Sequence, residues 1–341
     1  MKRKAVFTWS FILLVIVSIV SICVATGLGS VNVSIGQVGK IISNHLFNSD
    51  YLVPIAQNRI IWELRLPRVL LGFIVGGALA VTGVIMQALV RNEMADPFVL
   101  GISSGASVMA TLCMIFGVFT GFGIYSTAIS AFIGAILTTM VVYALSRYQN
   151  KIIITQLLLS GLVISMILDG VTKIITLSAP NALGLHNAEF WMSGSLAGAK
   201  WEYLTLPTVI MVIALVFLLF NGRALNVLLL GEEAAQTTGI NVRVFQKTLM
   251  VISSVLVAAA ISVSGVIGFV GLICPHLARL IVGSDHRKVL PISLLLGGLL
   301  VVWTDVLARM LVAPEELPLG TLTAIIGGPI FILLLKRKRT H

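Results

Sequence analysis

Between Leu64 and Arg91 the chain reads LRLPRVLLGFIVGGALAVTGVIMQALVR, and no charged side chain interrupts it from Val69 to Val90. A helix of about 20 apolar residues is long enough to cross the roughly 30 Å hydrocarbon layer of a membrane. Similar apolar stretches recur along the 341 residues, of which 58% are hydrophobic and only 11% are charged. A water-soluble domain needs more polar side chains than this to cover its surface. The sequence therefore predicts an all-α polytopic membrane protein.

Hydrophobic runs and the breakers between them predict about ten transmembrane helices in a single domain, residues 1–341. The helices are predicted near residues 7–28, 64–86, 98–116, 123–145, 152–176, 203–221, 247–264, 266–283, 290–309 and 321–335. If the amino terminus is cytoplasmic, most of the 23 lysines and arginines fall on the cytoplasmic side, as the positive-inside rule requires. The rule then places both termini in the cytoplasm, and eight or twelve helices would satisfy it equally well. Basic residues in short loops between apolar helices indicate membrane orientation and not nucleic-acid binding.

The beginning of the chain has the charge pattern of a secretory signal, because Lys2, Arg3 and Lys4 precede an apolar run. The length of that run favours a retained helix over a cleaved signal peptide. The lipid bilayer is therefore the expected surroundings of the whole chain.

An internal repeat appears when the sequence is shifted by 182 residues. Residues 78–85 (ALAVTGVI) then align with residues 260–267 (AISVSGVI). The offset spans five predicted helices, from the second to the seventh, and this odd number gives the two copies opposite directions across the membrane. Inverted repeats of this kind build many transporters.

Neither a nucleotide-binding phosphate loop nor a zinc-protease pattern occurs in the chain. It contains no GxxxxGK[ST] loop and no HExxH helix, and its five histidines are scattered. Cys23, Cys113 and Cys274 stand singly in apolar segments, which predicts buried thiols. We expect no catalytic residue, no metal site and no cofactor bound by this chain.

Three arginines stand at predicted helix ends on the outer side: Arg65 and Arg68 at the outer end of the second helix, and Arg309 at the outer end of the ninth. One interpretation is that they reach lipid headgroups, or that Arg309 pairs with Asp305 four residues earlier. The other interpretation is that they anchor an acidic partner outside the membrane, since guanidinium groups suit carboxylates.

Two polar segments lie on the inner side. Helix-forming residues between Gly231 and Gly239, in the loop at 223–246, predict a short amphipathic helix. That helix is either a surface connector or an element that docks into a soluble motor subunit. The turn from Arg91 to Pro97, with Pro97 at the start of the next helix, is either a simple turn or part of an inner gate.

Another pair of charges, Asp169 and Lys173, lies four residues apart near the outer end of the fifth predicted helix, and this spacing predicts an ion pair.

The sequence resembles the FecCD family, the permease subunits of binding-protein-dependent ABC importers for ferric siderophores, haem and vitamin B12. The resemblance extends over nearly the whole chain. It is carried by residues 64–68 (LRLPR), 77–83 (GALAVTG) with Gln87, 95–97 (ADP), 100–106 (LGISSGA), 231–234 (GEEA), 265–272 (GVIGFVGL) with Pro275, His276 and Arg279, Asp305 with Arg309, 316–320 (ELPLG) and 327–329 (GGP).

The resemblance implies a permease fold like that of the vitamin B12 importer, in the bacterial cytoplasmic membrane. It also implies a second permease subunit, identical or a sister chain, two cytoplasmic ATPase subunits that use ATP, and an external substrate-binding protein. Arg65, Arg68 and Arg309 would meet glutamates of the binding protein. The coupling segment, 223–246, would contact the ATPase through Gly231, Glu232, Glu233, Ala234, Ala235 and Gly239.

By the same resemblance, Asn92 and Met94 would lie at the inner gate. The family commonly has Asn-Pro-Leu-Ala in this turn, whereas here Glu93 replaces the proline and Met94 the leucine. The expected cargo is an iron chelate, a ferric siderophore first, with haem and cobalamin as alternatives in the same transporter class. The alternative from another class is an ion-coupled secondary transporter that uses Asp169, Lys173 or Asp305 as relay groups.

Overall fold

The computed structural model describes residues 2–29, 31–149 and 151–338, and most of them are helical. The α-helices are α1 (Lys2–Gly27), α2 (Ile35–Phe47), α3 (Ile55–Arg59), α4 (Leu66–Val90), α5 (Ile102–Phe116), α6 (Ser126–Ser146), α7 (Ile154–Leu177), α8 (Ala182–Met192), α9 (Thr205–Phe220), α10 (Gly222–Leu228), α11 (Glu232–Thr237), α12 (Val242–Ser264), α13 (Val270–Val282), α14 (His286–Met310) and α15 (Leu319–Lys338). Between α6 and α7, β1 (Arg147–Tyr148) pairs antiparallel with β2 (Lys151–Ile152), and Arg147 stands opposite Ile152.

A helix overlaps each of the ten ranges predicted from the sequence. Within the described residues, seven helical segments are long and apolar enough to cross a membrane, and α5, α13 and the Leu319–Leu333 part of α15 are shorter apolar helices. The three cysteines are unpaired, and Cys23 is only partly buried.

Several helix ends differ from the predicted ones because capping residues fix them. The predicted helix at 98–116 begins only at Ile102, since Pro97 opens a 3-10 turn and Gly101 then adopts φ 71°. The helix predicted from 247 begins earlier, at Val242, because the side chain of Asn241 accepts a hydrogen bond from Val244 N. The predicted coupling segment, 223–246, therefore contains most of α10, all of α11 and the first turn of α12.

Two helices that the hydrophobic pattern does not predict lie between apolar segments. At the start of α2, the hydroxyl of Ser34 accepts a hydrogen bond from Gln37 N and donates one to Gln37 Oε1. At the start of α8, Asn181 Oδ1 accepts from Gly184 N at 2.6 Å. Both contacts are helix caps, so the side chains that could have predicted these helices are present in the sequence.

The helix that carries the opening sequence is longer than predicted. From Ile55 to Val90 the chain is continuously helical over 36 residues, through α3, a π-helical turn at Ile60–Arg65 and α4. At 1.5 Å per residue this helix is about 54 Å long, well beyond the roughly 30 Å hydrocarbon thickness. Part of this helix therefore extends beyond the hydrocarbon layer.

Close backbone contacts place α4 in the centre of the bundle, packed against α12, α13 and α14. A β-carbon at Gly83 would overlap the carbonyl group of Gly271 in α13, and one at Gly76 would overlap that of Gly297 in α14. Small residues allow this approach of membrane helices. Repeat copy 78–85 lies within α4, whereas copy 260–267 leaves helical structure after Ser264.

The predicted ion pair between Asp169 and Lys173 is wrong. Both residues are exposed on α7, and within the described chain neither forms an ion pair with the other. A spacing of four residues allows such a pair, but exposed long side chains lose conformational entropy when they form it.

The turn between α4 and α5 is fixed by Asp96, whose carboxylate accepts a hydrogen bond from Phe98 N at 2.8 Å. Burial raises the pKa of Asp96 to about 6, although this hydrogen bond opposes the shift. The charged carboxylate is therefore held in an unfavourable setting at neutral pH.

Replacing Gly83 by alanine should destabilise the protein by about 1–3 kcal/mol, because α4 and α13 would have to separate. The matched control is Gly170→Ala in α7, where nothing lies within 4 Å of the added β-carbon. We expect a lower apparent melting temperature in detergent for Gly83→Ala and an unchanged or slightly higher one for Gly170→Ala. Equal melting temperatures would contradict the close packing of α4.

Replacing Asp96 by asparagine should stabilise the protein above pH 6 and have little effect near pH 4. The folded pKa of Asp96 is raised to about 6, so the cost of its charge is absent below the unfolded pKa and complete above the folded one, at about 1.4 kcal/mol per pKa unit. Asparagine keeps the cap acceptor. Melting temperatures between pH 4 and pH 7.5 measure this effect, with the exposed Asp50→Asn as control. A stability difference that does not change with pH would refute it.

Candidate functional site

The three arginines predicted as outer anchors lie together at one end of the bundle, which we call the arginine end. Arg65, Arg68 and Arg309 expose only 7%, 9% and 8% of their surface. The interpretation that they reach out to lipid headgroups is therefore wrong. A buried guanidinium needs partners inside the protein.

Two carboxylates surround Arg68. Its Nε donates to Asp305 Oδ1 at 3.0 Å, and its Nη2 lies 2.9 Å from the same oxygen. On the other edge, Nη1 and Nη2 donate to Glu316 Oε1 and Oε2 at 2.8 and 2.9 Å. The edge formed by Nη1 and Nη2 thus makes a bidentate pair with Glu316, the strongest geometry available to arginine, and Asp305 occupies the Nε edge.

Asp305 also holds Arg309, whose Nε lies 3.1 Å from Asp305 Oδ2. The predicted pair between residues 305 and 309 is therefore confirmed. The remaining donors of Arg309 make long hydrogen bonds to the end of α1, at 3.3 Å to Ala25 O and 3.4 Å to Leu28 O. Asp305 thereby bridges two arginines on two helices.

Arg65 ends the π-helical turn and binds backbone carbonyls, not carboxylates. Its Nη1 donates to Gly27 O at 3.0 Å and its Nη2 to Val31 O at 2.7 Å. Gly27 is the last residue of α1, where helix carbonyls lack partners within the helix, and Val31 lies in the connection to α2. Arg65 therefore fixes the connection between α1 and α2. π-Helical turns often occur at functional sites.

A cavity of about 320 Å³ lies at the arginine end. Its lining includes Gly29, Arg65, Arg68, Arg309, Pro314 and Glu316. Three cationic side chains face it, and the carboxylates that pair with them belong to Asp305 and Glu316. One positive charge is left uncompensated, so the cavity favours an anionic group.

The opposite end of the bundle, which we call the loop end, carries α11 between two glycines with positive φ, Gly231 and Gly239. Ala235 is completely buried, whereas Glu233 and Gly239 are exposed. Glu232 Oε1 accepts from Gln246 Nε2 at 3.2 Å and lies 4.0 Å from Arg91 Nη2. These contacts join α11 to α12 and to the end of α4, and Ala234 is partly buried beside them.

The turn that contains Asn92 and Met94 also lies at the loop end. Both residues are exposed, and Asn92 Oδ1 accepts from Met94 N at 3.0 Å. Glu93, which departs from the family pattern, lies 4.0 Å from Arg279 in α13. Arg279 also donates to the side chain of Gln87. The sequence did not predict this pair, because residues 93 and 279 are distant along the chain.

A second polar contact at the loop end joins α10 to the start of α14. Asn226 Nδ2 donates to Asp285 Oδ1 at 2.9 Å, and Asn226 Oδ1 accepts from His286 N at 2.9 Å. Burial acts to raise the pKa of Asp285, but the hydrogen bonds from Asn226 and Arg287 and the nearby positive charges outweigh it, so this pKa lies below its usual value. The helix α10, which precedes α11 in the sequence, is thus connected to the start of α14.

Comparison with known proteins identifies relatives of this arrangement. The model of the FecCD transport family matches residues 13–337. The chain is 42% identical over 282 residues to the hemin transport system permease protein of Yersinia pestis, covering 82% of this chain and 84% of that one. It is 39% identical over 289 residues to the cobalamin import system permease protein of Halobacterium salinarum, covering 85% of this chain and 76% of the relative.

A solved structure has the same fold. An inward-facing metal-chelate type ABC transporter superposes with a TM-score of 0.83 at 29% identity, covering 96% of this chain and 98% of that one. The predicted all-α polytopic permease fold is therefore confirmed, and the predicted family resemblance is confirmed with it. The chain belongs to the FecCD transport family of membrane permeases.

Proposed function

We propose that this chain forms the translocation pathway of an ABC importer for an iron chelate, a ferric siderophore or haem. The observation that carries the proposal is the position of two polar surfaces at opposite ends of α4. Arg68 lies at one end of this buried helix, and Arg91, next to α11, lies at the other. A permease that receives its cargo from an external binding protein and is powered by a cytoplasmic ATPase needs one contact surface on each side of the membrane.

The arginine end is the proposed docking surface for an external substrate-binding protein. Its cavity is lined by Arg65, Arg68 and Arg309 and carries more positive than negative charge. Acidic side chains of a partner complement such a surface, and electrostatic complementarity guides both association and orientation. The positive-inside bias assigns this end to the outside of the cytoplasmic membrane and both termini to the cytoplasm.

The loop end is the proposed contact with a cytoplasmic ATPase. Ala235 anchors α11 on the bundle, while Glu233 on its exposed side is available to a partner. Closure of two ATPase subunits would push α11, and the contacts of Glu232 with Arg91 and Gln246 would carry the displacement to α4 and α12. Alternating access by rigid-body movement of helices follows from this coupling.

Asn92 and Met94 belong to the turn through which that displacement passes, and we place the inner gate there. The ion pair of Glu93 with Arg279 ties this turn to α13. Because the family proline is absent, the charged contact takes over the positioning of the turn.

The proposal includes a second permease subunit. The apolar segment α7 is among the least buried of the candidate membrane spans, and it exposes Asp169 and Lys173. Charged side chains within membrane helices usually face protein or a water-filled cavity, not lipid. A second permease subunit that packs beside α7 would place protein, or a water-filled cavity between the two subunits, next to these charged side chains.

The names of the relatives support the proposed cargo. One relative is named for hemin and one for cobalamin, and the similar solved structure is of a metal-chelate type transporter. The hemin relative and the metal-chelate transporter support an iron chelate here, whereas the cobalamin relative supports the alternative cargo.

Uptake into vesicles tests the function. Vesicles that contain the chain together with its ATPase subunits and binding protein should accumulate a labelled ferric chelate only when ATP is present. Ferric hydroxamate, haem and cobalamin, offered separately, identify the cargo. An uncoupler at constant ATP should leave uptake intact. Uptake that an uncoupler abolishes, or that proceeds without ATP, would refute the importer.

Reversing the charge of Glu233 should weaken coupling to the ATPase. For Glu233→Arg we expect a loss of at least about fivefold in ATPase binding, the equivalent of about 1 kcal/mol, with an unchanged melting temperature because the side chain is exposed. The control Lys40→Glu reverses an exposed charge in α2, outside the segment 223–246. Equal loss in both variants, or none in either, would remove α11 from the proposed contact.

A further inference from the structure

We propose that Glu316 is an internal substitute for the carboxylate of a docking partner, and that docking exchanges the two on Arg68. The inference rests on the proposed docking of an external binding protein at the arginine end. The partner's carboxylate would bind the Nη1 and Nη2 edge of Arg68, and Glu316 would hold that edge until the partner docks.

The geometry of Arg68 requires an exchange. Asp305 occupies the Nε edge of its guanidinium and Glu316 occupies the edge formed by Nη1 and Nη2. No bidentate edge is left for an incoming carboxylate. A partner can therefore bind Arg68 through two parallel hydrogen bonds only if one of these acids leaves.

Exposure distinguishes the two acids. The side chain of Asp305 is 2% exposed and bridges Arg68 and Arg309, so its removal would leave two buried cations without their partner. The side chain of Glu316 is 32% exposed and lies in the connection between α14 and α15. A carboxylate that is already partly hydrated loses least on return to water, and Glu316 is therefore the one that leaves.

The backbone around Glu316 allows its side chain to move by itself. Leu317 N donates to Ala308 O at 3.1 Å, and Leu319 N donates to Gly194 O at 2.8 Å. These hydrogen bonds hold the connection on both sides of Pro318. Rotation of the Glu316 side chain is then sufficient to open Arg68, and the loop does not have to unfold.

The charge balance favours a carboxylate as the incoming group. Arg65, Arg68 and Arg309 line the cavity together with Glu316, while Asp305 lies beneath. When the Glu316 side chain rotates into the solvent and a partner's carboxylate takes its place on Arg68, the number of ion pairs at the arginine end stays the same. Glu316 competes at the high effective concentration of an intramolecular group, so a single carboxylate on a weakly fitting protein does not displace it. The exchange thereby selects a partner that is positioned by further contacts.

Two variants of Glu316 separate geometry from charge. Glu316→Gln removes the competing charge, and Glu316→Asp keeps the charge but shortens the side chain, so that the two-oxygen contact with Arg68 is lost. Both should bind the binding protein more tightly than the wild-type transporter, by about fivefold or more for an ion-pair contribution near 1 kcal/mol. The matched control is Glu315→Gln, because Glu315 is an exposed neighbour with the same charge and no ion pair to Arg68.

The measurement is the dissociation constant between the binding protein and the assembled transporter in lipid nanodiscs, with melting temperatures as a check on folding. Tighter binding by Glu316→Asp, with Glu315→Gln unchanged, supports the exchange. Equal gains in Glu316→Gln and Glu315→Gln, with none in Glu316→Asp, would reduce the effect to net charge and overturn it. Unchanged or weaker binding by both Glu316 variants would also overturn it, although docking itself would stand. If the wild-type transporter fails to bind, the docking proposal falls first.

Discussion

A guanidinium withdrawn from water must keep its hydrogen-bond donors occupied, and this constraint determines the arginine end of the molecule. Arg68 reaches this state through Asp305 and Glu316, which lie 237 and 248 residues further along the chain. The three residues fix the start of α4 against α14 and against the connection to α15. Any partner that binds this end of the molecule through Arg68 must displace a carboxylate that is already paired with it.

The position of Arg68 depends in turn on how α4 is held. Glycine contacts with α13 and α14 place α4 in the middle of the bundle. In the most apolar stretch of the continuous helix Ile55–Val90, 89% of the residues are buried. Polar contacts to other elements are made at both ends of α4, by Arg65 and Arg68 at one end and by Gln87 and Arg91 at the other. A displacement at either end meets a helix that cannot bend aside, because its backbone touches its neighbours directly.

The sequence predicted the helices well because lipid imposes one strong rule, a long apolar run for each helix. It predicted the burial of the arginines poorly, because the partners of Arg68 are remote in sequence and no periodicity connects them. The spacing of four residues illustrates the limit. It predicts a pair for Asp305 and Arg309, which are buried and form it, and for Asp169 and Lys173, which are exposed and do not. Burial decides between these outcomes, and burial depends on packing.

The contacts at the loop end also join residues that are distant in the sequence, so they could not be predicted from it. Glu93 stands where the family commonly has proline, and its contact with Arg279 becomes visible only when α4 and α13 are placed side by side. The short helix between Gly231 and Gly239 was predictable from its flanking glycines, whereas its attachment through Glu232 was not.

A high-resolution cryo-electron microscopy structure of the transporter with its binding protein docked would show which carboxylate holds Arg68. We expect a carboxylate of the partner on the Nη1 and Nη2 edge of Arg68, Asp305 in its present place, and the Glu316 side chain rotated toward solvent. A docked complex in which Glu316 still holds Arg68 with both oxygens would contradict this expectation.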